Sequence, residues 1–520
     1  MNQQVSRLTL PTIALSLMTV VSAVAGLSLA LPTIAVELGA SQTELTWIID
    51  SYTVVFAGLL LIAGAIGDRI GRQRILLIGL LIFAVGGFIG FYANSAEAVI
   101  LARIVMGIGA AAIMPSTLSV ITTSFPPESR GKAIGIWVGV AGGGAVLGLF
   151  ATALLLEWFN WSSFFALNFT LAIISAIGTT RVPESRESEG KKLDWIGGLL
   201  SILGIGGLVF GIIEGPEKGW DSVESISGLI VGTLALIGFV LWELRSANPL
   251  LDPRLFKLRG FSSGTLSITI QFFAQFGFIF VGMQYLQFVA GKSPLEAATQ
   301  LLWMPLVVLP GSRLAGALSK KVPQKILGSV GLATFAYSLF HFSSLPVEFN
   351  YWYFTIGILL FGTGLALSAT PATVAITSAL PDEKQGVASA VNDTAREVGS
   401  AIGIAILGAA LTNTYKSEIS TATSWLPVEF GEKIERSIAF TQMQPPAPLA
   451  EKWDQLVEAG LQAFNSGVQS SLTIAGWVAL AGAVFVAVVA PRKVKPSGLQ
   501  GDSSLSLWKI NHEDALRPHR

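Results

Sequence analysis

GAIGDRIGRQR, residues 64–74, sets four charged side chains and three glycines between two long apolar runs. Asp68, Arg69, Arg72 and Arg74 are too costly to hold in hydrocarbon, so the stretch reads as a water-facing turn between two spanning helices. Its three arginines place that turn on the cytoplasmic side. Gly64, Gly67 and Gly71 let helix ends approach closely and turn sharply. Asp68 is suited to pair with the arginines or to face a helix N-terminus. An ordinary positive-inside loop also carries such charge, but it does not require the ordered spacing G-x-x-x-D-R-x-G-R-x-R.

The remaining chain fits a membrane setting. Of 520 residues, 52% are hydrophobic and 13% charged, and mean hydropathy is +0.64. Soluble domains carry roughly twice that fraction of charge. Net charge is zero, which gives no basis for nucleic-acid binding. The absence of cysteine excludes disulfides and thiolate metal sites. The histidines, His341, His512 and His519, are too scattered in sequence to suggest a metal site. No nucleophile–base pair or phosphate loop stands out, so neither an enzyme nor a bound cofactor is expected. The glycine run at 139–144 falls inside an apolar segment and reads as helix packing. Leu8 to Leu31 is long enough to cross a bilayer and reads as a retained helix, not a cleaved leader.

Fourteen apolar segments are long enough to span. They centre near Val20, Phe56, Phe83, Gly109, Gly144, Leu171, Leu203, Leu234, Gln271, Leu306, Thr334, Leu365, Ile402 and Leu480. Alternate connections are basic: Arg69, Arg72 and Arg74; Arg130 and Lys132; Arg181, Arg186, Lys191 and Lys192; Arg245, Arg254, Lys257 and Arg259; Lys320, Lys321 and Lys325; Lys384; Arg492, Lys493 and Lys495. The short connections between them hold only Lys218 and Lys292. This asymmetry puts both termini in the cytoplasm. Residues 181–192 read as a polar linker and 414–468 as a long outer loop with amphipathic pieces such as 449–464. Residues 496–520 read as a disordered tail.

The opening motif and span number resemble the fourteen-helix drug:proton antiporter branch of the major facilitator superfamily. The resemblance extends to LPTI at 31–34, WIIDSY at 47–52, LARIVMGIGAAA at 101–112, SFPPESRGKAIGIW at 124–137, YLQFVAGKSPLEAA at 285–298 and VNDTAREVGSAIGIAILG at 391–408. It implies an all-α polytopic membrane protein of the MFS fold with 14 transmembrane helices, two six-helix bundles plus two inserted helices. The bundles would be residues 1–180 and 259–495, with the linker and inserted spans 7 and 8 at 181–258. Such folds export by rocking the bundles around a midplane site. The resemblance further implies a monomer in the inner membrane, amphipathic drugs as substrates, protons as the coupling ion and no cofactor beyond the proton gradient. The motif at Gly64, Asp68, Arg69, Gly71 and Arg72 would gate the conformational change.

Charges inside spans are functional candidates by default. Asp50 lies about two turns into span 2, after an S-x-x-E capping box formed by Ser41 and Glu44. It is suited to exchange a proton or pair with a cation, or else to serve as a structural acceptor near the outer mouth. Arg103 in span 4 matches the arginine that the resembling family uses in proton coupling; the alternative is a structural pairing with a backbone carbonyl or a carboxylate. Asp393, Arg396 and Glu397 cluster in span 13. The acids are i and i+4 on one face, and one cation between them leaves a spare negative charge for a proton or a cationic substrate. A self-compensated structural triad is the other reading. Gln271 and Gln275, also i and i+4, are candidates for a substrate pocket in span 9 with Phe272, Phe273 and Phe276. Arg313 in span 10 reads as a side chain that snorkels inward.

The sequence departs from that branch at several positions. No proline follows Gly148 in span 5, span 1 has no acid between Leu8 and Leu31, and LSKKVPQK at 318–325 lacks an aspartate. Neutral, zwitterionic or anionic amphipaths therefore enter as substrates beside cationic drugs. A transporter of lipid or lipid-like metabolites is the second reading, and a non-transporting sensor or scaffold the third.

Overall fold

In hydrocarbon a backbone must satisfy its own N–H and C=O groups, and long apolar runs do so as helices. The computed structural model describes residues 8–125, 127–184, 193–319, 321–380, 385–442 and 450–492. Among them there is no β-strand. The helices are α1 (Thr9–Ala25), α2 (Leu31–Leu38), α3 (Gln42–Ile70), α4 (Arg72–Phe91), α5 (Ala96–Ser124), α6 (Pro127–Leu156), α7 (Ser163–Thr179), α8 (Trp195–Lys218) and α9 (Val223–Glu243). They continue with α10 (Arg259–Gln284), α11 (Pro294–Gln300), α12 (Trp303–Leu318), α13 (Gln324–Phe342), α14 (Tyr351–Ser378), α15 (Gln385–Thr423), α16 (Val428–Arg436) and α17 (Ala450–Val489). A 3₁₀ turn, Gly26–Leu29, links α1 to α2, and a π turn, Tyr285–Val289, extends α10.

Eleven helical stretches are long and apolar enough to cross a membrane, and shorter apolar helices lie at Gly144–Leu156 and Ser163–Thr179. The polar entrances are capped as their sequence dictates. Ser41 Oγ accepts the Glu44 N–H at 3.1 Å, while Ser41 N–H donates to the Glu44 carboxylate at 2.7 Å. Ser222 and Asn350 cap α9 and α14 by the first of these bonds alone, accepting the N–H of Ser225 and of Tyr353.

Helices α1 and α3 to α7 pack on one another, as do α10, α12 to α15 and α17. Helices α8 and α9 form a tight pair. At Gly207 and Gly211 of α8, a Cβ would meet the α9 backbone at 2.8 Å and 2.7 Å, so only glycine permits this approach. The pair does not sit apart from the rest. Ile205, Val209 and Ile213 of α8 share a core with Ala57 of α3 and Ala401 and Ala405 of α15. Helix α8 thus wedges against the seam where α3 meets α15.

Two readings of the sequence change. The turn expected over 64–74 is almost wholly helical: α3 runs to Ile70, α4 begins at Arg72, and Gly71 alone separates them with φ +120°. That angle suits glycine, and a Cβ there would meet the Glu184 carboxylate at 2.6 Å. The segment expected as an outer loop over 414–468 is also largely helical. Helix α15 continues to Thr423, α16 follows, and the amphipathic stretch expected at 449–464 forms the start of α17 from Ala450 onward. At 39 and 40 residues, α15 and α17 are longer than the roughly 20 residues a crossing needs, and hydropathy marks only their apolar part. The polar linker and the tail fall mostly or wholly outside the described residues.

Candidate functional site

Along α3 the residues Trp47, Asp50, Val54 and Ala57 recur at helical spacing and face α8 and α15. Asp50 is fully buried, and neither carboxylate oxygen has a hydrogen-bond partner among the described residues. On the facing helix, Asp393 and Glu397 are each 8% exposed, and Glu397 Oε2 is likewise without a partner. Glu397 lies within electrostatic reach of the Tyr52 hydroxyl on α3. Acids on α3 and α15 therefore flank one seam, placed there by two helices from opposite ends of the chain.

Arg396 lies close enough to act electrostatically on both Asp393 and Glu397, but without a direct ion pair among the described residues. Its guanidinium lies 5.2 Å from the Phe272 ring centre on α10. With its amide turned, Asn392 accepts from Arg396 Nε and Nη2 at 3.3 Å. Phe272 stacks on Phe276 at 5.7 Å. Gln271 is buried, donates to Ser267 Oγ at 2.9 Å, and keeps an unpartnered Oε1, whereas Gln275 is half-buried. Arg313 is exposed on α12.

Arg103 of α5 is fully buried and its partners are carbonyls, not acids. Nε donates to Ile48 O at 3.0 Å, Nη1 to Ala23 O at 3.0 Å and Nη2 to Ile49 O at 3.5 Å. The guanidinium stacks 4.2 Å from the Tyr52 ring centre, and Tyr52 Oη donates to Val20 O at 3.1 Å. Arg103 thus stitches α1, α3 and α5 together through the carbonyls of Ala23 and of the two residues that immediately precede Asp50, without bonding to Asp50 itself. A planar fork of donors meets several carbonyls at once in a way lysine does not.

The opening motif gains an acid the sequence did not single out. Glu184, just past α7, accepts from Gln73 N–H at 3.1 Å and pairs with Arg74 at 3.5 Å. It sits at the α4 N-terminus, where a carboxylate is stabilised. The Asp68 side chain lies outside the described residues; Arg69 is exposed, Arg72 half-buried, and Gly64 packs against Pro115.

At the opposite ends of the helices, Glu217 of α8 forms a three-way tie. It accepts from Thr43 Oγ1 of α3 at 3.1 Å and pairs with Lys416 of α15 at 3.6 Å and Arg436 of α16 at 3.4 Å. Glu214 beside it accepts from Trp47 Nε1 at 2.8 Å. These contacts hold α3 and α15 together through α8, and any opening at this end breaks them. Glu217→Gln is expected to weaken the tie by on the order of 1 kcal/mol, shifting the open-to-closed ratio roughly fivefold. Spin labels on cysteines introduced at Val36 and Ser420 would read it, free of background because the chain has no native cysteine. An unchanged distance distribution would show that the tie does not restrain this end.

A sequence profile described as Major Facilitator Superfamily matches residues 13–404. The chain is 33% identical over 471 residues to "Multidrug efflux pump LfrA" of Mycolicibacterium smegmatis, covering 89% of this chain and 92% of that protein. It is 34% identical over 398 residues to "Methyl viologen resistance protein SmvA" of Salmonella typhimurium, covering 76% and 80%. Among solved structures it resembles a bacterial homolog of the human lysosomal transporter Spinster in an inward-facing, unoccupied conformation. That match has a TM-score of 0.66 and 17% identity, over 95% of this chain and 100% of the other. At that identity the likeness concerns the fold.

Proposed function

The chain belongs to the major facilitator superfamily, and from that premise we propose that it is a proton-coupled exporter of amphipathic drugs working by alternating access. It is a transporter and not an enzyme. The observation that carries the coupling is the pair of buried, incompletely partnered acids on facing helices, Asp50 on α3 and Glu397 on α15. A charge left unpaired in a protein interior is unfavourable, so each acid calls for a proton or a cationic group. Exchange of one for the other is the elementary act of an antiporter.

In this reading α6, α7 and α13 join the eleven longer stretches to complete fourteen spans. Residues 1–180 and 259–495 are the rocking bundles, and α8 and α9 the insertion between them. The basic connections face the cytoplasm across the inner membrane, and the protein acts as a monomer. The Gly71 turn, held by Glu184, is the cytoplasmic hinge of the first bundle. Relatives bear the names of multidrug, methyl viologen and puromycin resistance proteins, which supports a broad amphipathic substrate range.

Proteoliposomes loaded with a pH dye and given a pH gradient of either sign test this. Amphipathic cations, neutral compounds and lipids would be added in turn. Substrate-evoked proton movement is expected. Substrate movement without protons would replace the antiporter with a facilitator or a lipid transporter.

A further inference from the structure

Away from the acid seam, a cavity of about 390 Å³ lies between α10 and α15. Leu251 and Phe256 of the connection before α10 bound it at one end and Phe485 of α17 on another side. Its wall is almost wholly apolar, yet it includes two hydroxyls, Thr265 Oγ1 and Thr394 Oγ1, that are buried and have no hydrogen-bond partner among the described residues. Both are free to donate to an acceptor brought in from outside.

The mouth is strongly basic. Arg254 and Lys257 lie on the 3₁₀ turn Pro253–Lys257 that carries Phe256, and Arg259 is one helical turn before the lining residue Ser262. Arg492 follows Pro491, whose ring lies 3.9 Å from where a Cβ on Gly260 would be. All four cations are exposed, and none forms an ion pair among the described residues. Arg254 donates to Leu244 O at 2.8 Å, while two acids lie nearby: Asp252 accepts from the Arg254 N–H, and the buried Glu243 accepts from the N–H of the lining residue Leu251 at 3.4 Å. Between these cations Phe256 and Leu258 are 40% and 37% exposed, the alternation of charge and apolar bulk that suits a membrane interface.

From apolar body through free hydroxyls to cationic rim, the order matches one ligand chemistry. We propose that this cavity and rim bind an anionic phospholipid, with one acyl chain against Val391 and Val398, its ester carbonyls accepting from Thr265 and Thr394, and its phosphate among Lys257, Arg259 and Arg492. Basic sites between spanning helices recognise anionic headgroups in this manner. The lipid would press on α15 from beside Thr394 and Ala395, adjacent in sequence to Asp393 and Arg396. It therefore reaches the coupling helix without occupying the acid seam.

Native mass spectrometry of the full-length protein, titrated with dioleoylphosphatidylglycerol or dioleoylphosphatidylcholine, tests this without any transport assay. A failure of the antiporter reading would leave the result untouched. The anionic lipid is expected to bind more tightly. Lys257→Ala with Arg259→Ala should lower its affinity about thirtyfold, at about a tenfold change per 1.4 kcal/mol and about 1 kcal/mol per cation. Thr394→Phe should displace lipid of either headgroup, and Ser262→Trp at the mouth serves if that variant does not fold. Equal binding of the two lipids, or unchanged binding in the double variant, would overturn the proposal, as would full stoichiometry with the cavity filled. An amphipathic substrate that competes for the cavity while neither lipid does would assign it to cargo instead.

Discussion

Glu397→Gln is expected to abolish substrate-driven proton movement while leaving a folded protein. The side chain is 8% exposed and Oε2 has no partner, so the amide gives up no bond at that oxygen and removes a buried charge. Glutamine keeps the volume and shape of the side chain, so the fold is retained even though Arg396 loses one of its two nearby countercharges. Function fares differently. One proton per substrate stores about 1.4 kcal/mol for each pH unit, a tenfold concentration ratio, and a glutamine carries no proton to couple. The substrate gradient that can be built should fall about tenfold for each unit of imposed pH difference, while exchange of substrate against substrate continues.

Asp50→Asn separates the roles of the two acids. If Asp50 holds the cationic part of the cargo, the asparagine weakens binding of cations, and neutral amphipaths still evoke proton flux. If Asp50 carries the proton, both variants lose coupling for every substrate. Proton flux at wild-type rate in both would remove these acids from the mechanism and leave α15 with a structural cluster. The measurements are dye-reported proton flux and substrate counterflow on the same vesicles, with Tm as the control for folding.

How much of this was legible in the sequence depends on the range of the interaction. Span positions and the Ser41–Glu44 cap are local, set by hydropathy and a four-residue pattern; eleven long apolar stretches and the cap emerge among the described residues. The buried acids were also legible, because a charge in an apolar run is conspicuous by itself. The partners were not. Arg103 meets carbonyls of Ala23, Ile48 and Ile49, and a carbonyl is present at every residue, so no sequence signal marks which will be used. Glu184 stands 111 positions from Gln73, and the Glu217 tie joins α3, α8 and α15 across 200 residues between Pro216 and Lys416. The extent of helix over 414–468 was not legible for another reason: hydropathy marks apolar runs, and the polar ends of α15 and α17 carry no such mark.

Arg103→Met is expected to destabilise the first bundle severely, and Arg103→Lys almost as much. Methionine fills much of the volume but removes three hydrogen bonds from a charged donor to the carbonyls of Ala23, Ile48 and Ile49 in a site that is fully buried, where the last two keep only their bonds within α3. A hydrogen bond to a charged group contributes about 1.5–3 kcal/mol, so the total is on the order of 3 kcal/mol or more. Lysine keeps the charge but gathers it on one nitrogen, which cannot reproduce the planar fork or its stacking 4.2 Å from Tyr52. Both variants should show a lowered Tm, and transport should fall in parallel with the folded fraction. The proton-coupling role carried by resemblance makes a different demand: Arg103→Lys would keep the wild-type Tm and lose proton flux alone. Tm and flux measured on the same preparation decide between them. The carbonyl geometry favours stability because a guanidinium already bonded to three backbone acceptors has little left to offer a carboxylate at Asp50. For coupling to pass through Arg103, α1 and α3 would first have to release it, and their separation would itself be the conformational step.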